Sequence, residues 1–187
     1  DASIEQSGAF NDAEQLQVGG VLNSESIHQD RTGNVAKQAQ LFGALNSAFI
    51  AQYGSGNHAY QVQLGGTGNS LGIYQSQFDA CGLTTGNLAM QAGIGGAYNV
   101  LTIAQAGAGN YAAQLDVNGV YNTLSIGQLG GGNMAMQGVI GSYNTAGIGQ
   151  AGCFNYAAQA QVGNSNAGWI SQSGFGNSAS QLQVSPF

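Results

Sequence analysis

Asn46-Ser-Ala-Phe-Ile-Ala-Gln-Tyr-Gly-Ser-Gly-Asn57-His-Ala-Tyr-Gln-Val-Gln63 reads as strand, turn, strand. Asn46, Ala48, Ile50 and Gln52 alternate with Ser47, Phe49 and Ala51. After Gly54-Ser-Gly56 the alternation resumes with Asn57, Ala59, Gln61 and Gln63. Period two is the mark of a strand, and Gly-rich breaks bound it. Folded back on itself with these sets inward, the unit sets Ile50 against Ala59 and Ala48 against Gln61. Large then meets small, as a thin dry core requires. Phe49, Ala51, His58 and Tyr60 point outward and are free to vary.

The whole chain repeats this unit. Asparagines at Asn11, Asn34, Asn57, Asn87, Asn110, Asn133, Asn155 and Asn177 step by 23, 23, 30, 23, 23, 22 and 22. Two residues after each comes Ala13, Ala36, Ala59, Ala89, Ala112, Ala135, Ala157 or Ala179. Four after each comes glutamine, Gln15 in the first copy and Gln181 in the last. A second asparagine series, Asn23 to Asn166, lies between them. Four residues after each of its members comes an isoleucine, which gives Ile27, Ile50, Ile73, Ile103, Ile126, Ile148 and Ile170. Ile4 opens that series without its asparagine. Two residues further on is always a glutamine: Gln6, Gln29, Gln52, Gln75, Gln105, Gln128, Gln150 and Gln172.

Repeats of this length signal a stacked array. The expected fold is all-β: a β-solenoid of eight strand-arc-strand rungs forming two parallel in-register sheets, cross-β when polymerised. The alternation by itself also fits an antiparallel sandwich. Only parallel in-register stacking, however, sets identical side chains over one another every ~4.7 Å. Isoleucine then stacks on isoleucine, and inward amides bond up and down the stack, which offsets the cost of burying them. A single domain spans 1–187, with rungs at about 1–18, 23–40, 46–63, 69–93, 99–116, 122–139, 144–161 and 166–183. An enlarged arc covers 76–86 and a short tail 184–187.

Composition narrows the function. Two basic against eight acidic residues, net charge −6, exclude a basic nucleic-acid binder. No apolar run approaches the ~20 residues of a membrane helix. The one proline, Pro186, lies outside the repeats, as suits a chain that is sheet throughout. No nucleophile elbow or phosphate-binding Gly-Lys motif occurs, and His28 and His58 sit at outward phases without repeated partners. The chain is therefore read as no enzyme, with no cofactor and no metal site. Thr-x-Thr ice-binding faces and Gly-Gly-x-Gly-x-Asp calcium repeats are also missing.

The recurring Ile-x-Gln-x-Gly-x-x-Asn-x-Ala, followed by further glutamine over residues 4–183, resembles the curlin repeat of curli fibre subunits. The resemblance implies an extracellular bacterial functional amyloid, secreted unfolded and polymerising into biofilm fibres. It also implies a nucleator subunit and secretion machinery as partners besides the chain itself. The pattern departs from a typical major curlin in three ways. Asn begins the first strand in place of Ser, Gln follows the second-strand Asn in place of an aliphatic residue, and Arg31 replaces a turn glycine. The half-repeat symmetry is as similar to the minor, nucleating subunit as to the major one. A secreted chain whose signal has been removed is the expected context, because a Gln/Asn-rich strand array is an aggregation hazard in a cytosol.

Irregularities mark particular rungs. Eight of ten charged residues precede position 38, most of them at outward phases. Glu25 falls at an inward phase, where other copies carry Ala48, Leu71, Leu101, Leu124, Ala146 and Gly168; it is read as a lone inward carboxylate. Tyr98, Tyr121 and Tyr143 occupy one phase in successive rungs and are expected to stack at the edge opposite the turn. Cys81, in the enlarged arc, and Cys153 lie on one edge three rungs apart, ~14 Å along the stack. Seven extra residues can cover ~23 Å, so a disulfide can form, and two free thiols are the other reading.

The function expected is that of a structural subunit, self-assembling head to tail. A solenoid usually caps its end strands, and none of the usual caps is evident in the repeats. The alternatives are a monomeric binding module or adhesin for carbohydrate or surfaces, and a minor nucleator.

Overall fold

The computed structural model describes residues 1–186. Sixteen strands follow in pairs, one pair per rung. They are β1 (Ala2–Ala9) with β2 (Asp12–Val18), β3 (Ser24–Thr32) with β4 (Val35–Leu41), β5 (Ser47–Tyr53) with β6 (His58–Leu64), and β7 (Ser70–Gln77) with β8 (Leu88–Ile94). The chain continues with β9 (Val100–Ala108) and β10 (Tyr111–Val117), β11 (Thr123–Gly131) and β12 (Met134–Ile140), β13 (Thr145–Cys153) and β14 (Tyr156–Val162), and β15 (Ala167–Phe175) and β16 (Ser178–Val184). The odd strands form one eight-stranded sheet in order of sequence, and the even strands form the other. Every pairing is parallel, and Ile4, Ile27, Ile50, Ile73, Ile103, Ile126, Ile148 and Ile170 make one column. The protein is a β-solenoid of eight turns.

Two apolar columns fill the space between the sheets. In the first, the isoleucines pack on the alanines that follow the first asparagine series, and the interior pairs are essentially inaccessible. The second contains Leu71, Leu101, Leu124, Val139 and Ala146. Here the facing partners trade volume within each rung. Leu71 packs on Gly93, whose added β-carbon would lie 3.6 Å away from it. At the last rung Gly168 leaves room for Gln183, whose Oε1 would be 2.6 Å from a β-carbon there. A core two side chains thick allows this exchange because density, not identity, is what each level must conserve.

The arcs bend through left-handed backbone. Gly107 has φ +117°, and a β-carbon on it would run into the Gly130 carbonyl of the next rung. Arg31, in the same column, adopts φ 79° and replaces the missing turn glycine at a steric cost.

Three readings need correction. Glu25 is not a lone inward carboxylate: Asp116 is also buried, in the phase occupied by Gln40 and Gln63 in other rungs. Ala51 faces outward yet is 1% exposed, because its register neighbours are His28 and Tyr74, and the ring pairs His28–Tyr53 and Phe49–Tyr74 close over it. The tail, read as 184–187, begins one residue later and lies along the stack. Val184 belongs to β16, the Ser185 amide donates to the Val162 carbonyl at 2.9 Å, and Pro186 accepts from Asn164. Phe187 lies outside the described residues.

Candidate functional site

The repeated amides form the chemistry of this molecule. Each glutamine of the isoleucine strands donates from Nε2 to Oε1 of the next rung, so that Gln6, Gln29, Gln52, Gln75, Gln105, Gln128, Gln150 and Gln172 make one unbroken chain of 2.6 to 2.9 Å bonds. Gln15, Gln38, Gln61, Gln91, Gln114, Gln137, Gln159 and Gln181 make a second chain in the same direction. The second hydrogen of Gln52 Nε2 goes to the Val35 carbonyl at 2.9 Å, and interior copies repeat that bond. Asn11, Asn34, Asn57, Asn87, Asn110, Asn133, Asn155 and Asn177 stack at the arc. The Oδ1 of each accepts the backbone N–H of the next asparagine.

These ladders have a direction. Amide hydrogens of rung n point toward rung n+1, so the last rung presents donors and the first presents acceptors. Gln172 has spent one Nε2 hydrogen on the Tyr156 carbonyl, and nothing among the described residues takes the other. Nothing among them donates to Gln6 Oε1 or Gln15 Oε1. The asparagine ladder runs the opposite way: among the described residues Asn177 Oδ1 is left as an acceptor and the Asn11 N–H as a donor. The apolar column is open as well. Ile4 is 47% exposed, whereas Ile50, Ile73 and Ile103 are at 0%. Ala13 and Ala179 are partly buried members of the same column.

Two buried acids interrupt the amide chemistry. Asp116 accepts from Asn122 Nδ2 at 2.7 Å, and burial pushes its carboxyl up to about 6 despite that bond. Glu25 is 1% exposed and neither carboxyl oxygen has a hydrogen-bond partner. Burial raises its pKa, opposed by the nearby Gln40 backbone amide and the N-terminal ammonium. The Gln40 amide falls short of bonding geometry, so burial dominates. Asp116 was legible in principle, since it stands four residues before a position where the repeat fixes a turn and occupies the phase of an inward glutamine.

The arc edge carries a strap. Cys81 and Cys153 are joined in a disulfide with Cα atoms 6.0 Å apart. The enlarged arc runs from rung four across rungs five and six to reach it. Leu83 and Thr85 lie against Gly109, where a β-carbon would meet each at 3.0 Å, and the Gly109 amide donates to the Thr85 carbonyl. On the opposite edge Tyr98, Tyr121 and Tyr143 stack, with ring centroids 5.2 and 5.5 Å apart.

The outer face of the odd sheet holds a groove of about 600 Å³, floored by Ala104, Gly127 and Gly149 and closed at one end by Tyr53 and Tyr74. His28 lies outside it, paired with Glu5 at 3.2 Å, and Lys37 pairs with Glu14 at 3.0 Å. No protein-family model matches the chain, and no curated protein matches its sequence.

Proposed function

We propose that this chain is the structural subunit of an extracellular, curli-like functional-amyloid fibre, self-assembling head to tail by strand stacking to build biofilm matrix and support adhesion. One observation carries the reading: the two end faces of the stack hold opposite halves of the same ladders. Setting rung eight beneath rung one of another copy puts Ile170 on Ile4, Gln172 on Gln6, Asn177 on Asn11, Ala179 on Ala13 and Gln181 on Gln15. Donors meet acceptors in every column, and the exposed half of Ile4 is covered, worth ~1 kcal/mol by itself. Charge agrees. Glu5, Asp12 and Glu14 of the first rung would face Ser171, Ser178 and Ser180 of the last, hydroxyl donors in place of like charges. Two first rungs brought together would set acid against acid.

The extracellular setting is supported by the disulfide, which suits an oxidising compartment. The biofilm role, and the nucleator and secretion partners, rest on the resemblance to curlin repeats. A binding module or adhesin is the second reading, favoured by the odd-sheet groove and by a similar one of about 630 Å³ on the even sheet.

Electron microscopy of the purified chain separates them. Fibres with a ~4.7 Å meridional reflection are expected for the polymer. Discrete particles at all concentrations would favour the binding module. A proline-rich cap fused to both ends should stop growth, and normal growth of the doubly capped chain would count against head-to-tail stacking.

A further inference from the structure

Large side chains follow a rule of direction. At the arcs Phe42 lies over Gly19, Tyr98 over Gly68 and Phe154 over Gly132, and within the odd sheet Trp169 lies over Gly147. In each case the ring leans toward the preceding rung and covers a glycine there. A β-carbon on Gly132 would be 2.8 Å or less from the Phe154 ring, at 2.7 Å. Phe10 occupies the same column as Phe154, with the same φ of 57°, and among the described residues no rung lies before it. It is 91% exposed. The last member of that column is Gly176, above which the space is open.

A second feature appears only at the two ends. The inward position after the second glutamine series carries Gln17, Gln40 and Gln63 in the first three rungs and Gln161 and Gln183 in the last two. The three rungs between carry Gly93, Asp116 and Val139, opposite leucines. At the C-terminal end the ladder is made: Gln161 Nε2 donates to Gln183 Oε1 at 2.7 Å and to the Thr145 carbonyl at 2.9 Å. Gln183 spends one hydrogen on the Ala167 carbonyl, which leaves the other directed out of the stack. At the N-terminal end it is not made. Both amide atoms of Gln40 and of Gln63 are buried and unpartnered. Buried amides without partners are rare and costly.

We infer that these two features specify the junction between two copies of this chain: Phe10 of one copy seats over Gly176 of the next, and Gln183 donates to Gln17. The inference rests on the head-to-tail reading above and names the residues that set its register. The third glutamine ladder is then continuous only across the junction, running Gln161, Gln183, Gln17, Gln40, Gln63. Donation into Gln17 gives that end of the column the direction that its orphaned amides lack. Small partners face it at Ala146 and Gly168 on one side and at Ala2 and Ala48 on the other, where the buried Glu25 stands between the two alanines. The middle of each subunit uses leucine at the same level, with Leu71, Leu101 and Leu124 in rungs four to six.

Seeded elongation of the full chain tests this, with wild-type seeds and monomer as reference. Gly176→Leu fills the seat and should slow elongation about tenfold, the effect of ~1.4 kcal/mol at the junction. Phe10→Gly in the same chain removes the ring and should restore much of the rate. Phe154 shows that the column accepts a side chain at this backbone conformation. Should Gly176→Leu fail to fold, the glutamine pair carries the test. Gln183→Leu leaves both Gln17 and Gln161 without their partner and should slow growth, whereas adding Gln17→Leu should recover part of the rate, since it removes the orphan at the junction. Single variants that elongate at the wild-type rate, or doubles no faster than the slower single, overturn the junction. A wild-type chain that forms no fibre overturns the head-to-tail reading itself, and the junction with it.

Discussion

At the scale of single residues, the columns make every interior side chain answer to the copies above and below it. Gln105 takes a bond from Gln75 and gives one to Gln128. Gln105→Leu would orphan both neighbours, and each orphan costs about 1–3 kcal/mol. A fall in the denaturant midpoint well beyond that of an exposed change such as Thr123→Ala is expected, and equal midpoints would refute a bonded ladder. Asp116 behaves in the opposite sense. Its carboxyl is raised to about 6 from 3.8, so the folded state holds the proton more tightly than the unfolded chain does. Stability is therefore greatest below pH ~4 and is lost as pH rises through 6. Asp116→Asn keeps the acceptor for Asn122 and removes the ionisation. It should stabilise the chain at pH 7.5 by up to about 3 kcal/mol and change little at pH 4. Guanidinium midpoints at the two pH values check the sign, which fails if the variant gains nothing at pH 7.5. Glu25 is raised in the same direction, so Glu25→Gln should shift the midpoint the same way.

At the scale of elements, a rung is one strand pair held mainly by its two neighbours, and the enlarged arc is the exception. It ties rung four to rung seven across 72 residues of sequence. Closing a loop of that length is worth about 4 kcal/mol on the chain-entropy account. Reducing the bond, or making Cys81→Ser with Cys153→Ser, should lower the unfolding midpoint. It should also speed amide exchange in β9 to β12, beneath the strap, more than in β3 to β6. Uniform exchange in the reduced and oxidised chains would mean that the strap restrains nothing. The tyrosine stack at the other edge lacks such a tether, yet its three rings keep nearly constant spacing because the backbone beneath them repeats.

At the scale of the molecule, the stack is quasi-one-dimensional, with stability summed over rungs and over interfaces between them. Removing a whole rung should leave the rest in register. Excising Asn46 through Gly68 joins Leu45 to Asn69 and brings Ile27 over Ile73. The shortened chain is expected to assemble with the same ~4.7 Å repeat, and a loss of that reflection would show that the third rung is needed for more than its place in the columns. The ends dominate the remaining behaviour. Each presents a row of unpaired strand groups, which a second copy would match under the head-to-tail proposal.

The sequence by itself determined the rung, its two strands, the register and the identity of the columns, down to Ile50 with Ala59 and Gln52 with Gln75. It could do so because every contact that sets them is local in the array: a fixed phase within one repeat and the same phase in the next. Residues outside that arithmetic were decided only by the tertiary structure. Ala51 is buried on an outward face because aromatic rings from neighbouring rungs close over it, and ring placement depends on rotamer, not on phase. Whether Cys81 met Cys153 depended on the path of an arc that obeys no repeat. The lean of Phe42, Tyr98 and Phe154 toward the preceding rung follows from left-handed backbone at the arcs, a direction that no spacing of residues encodes.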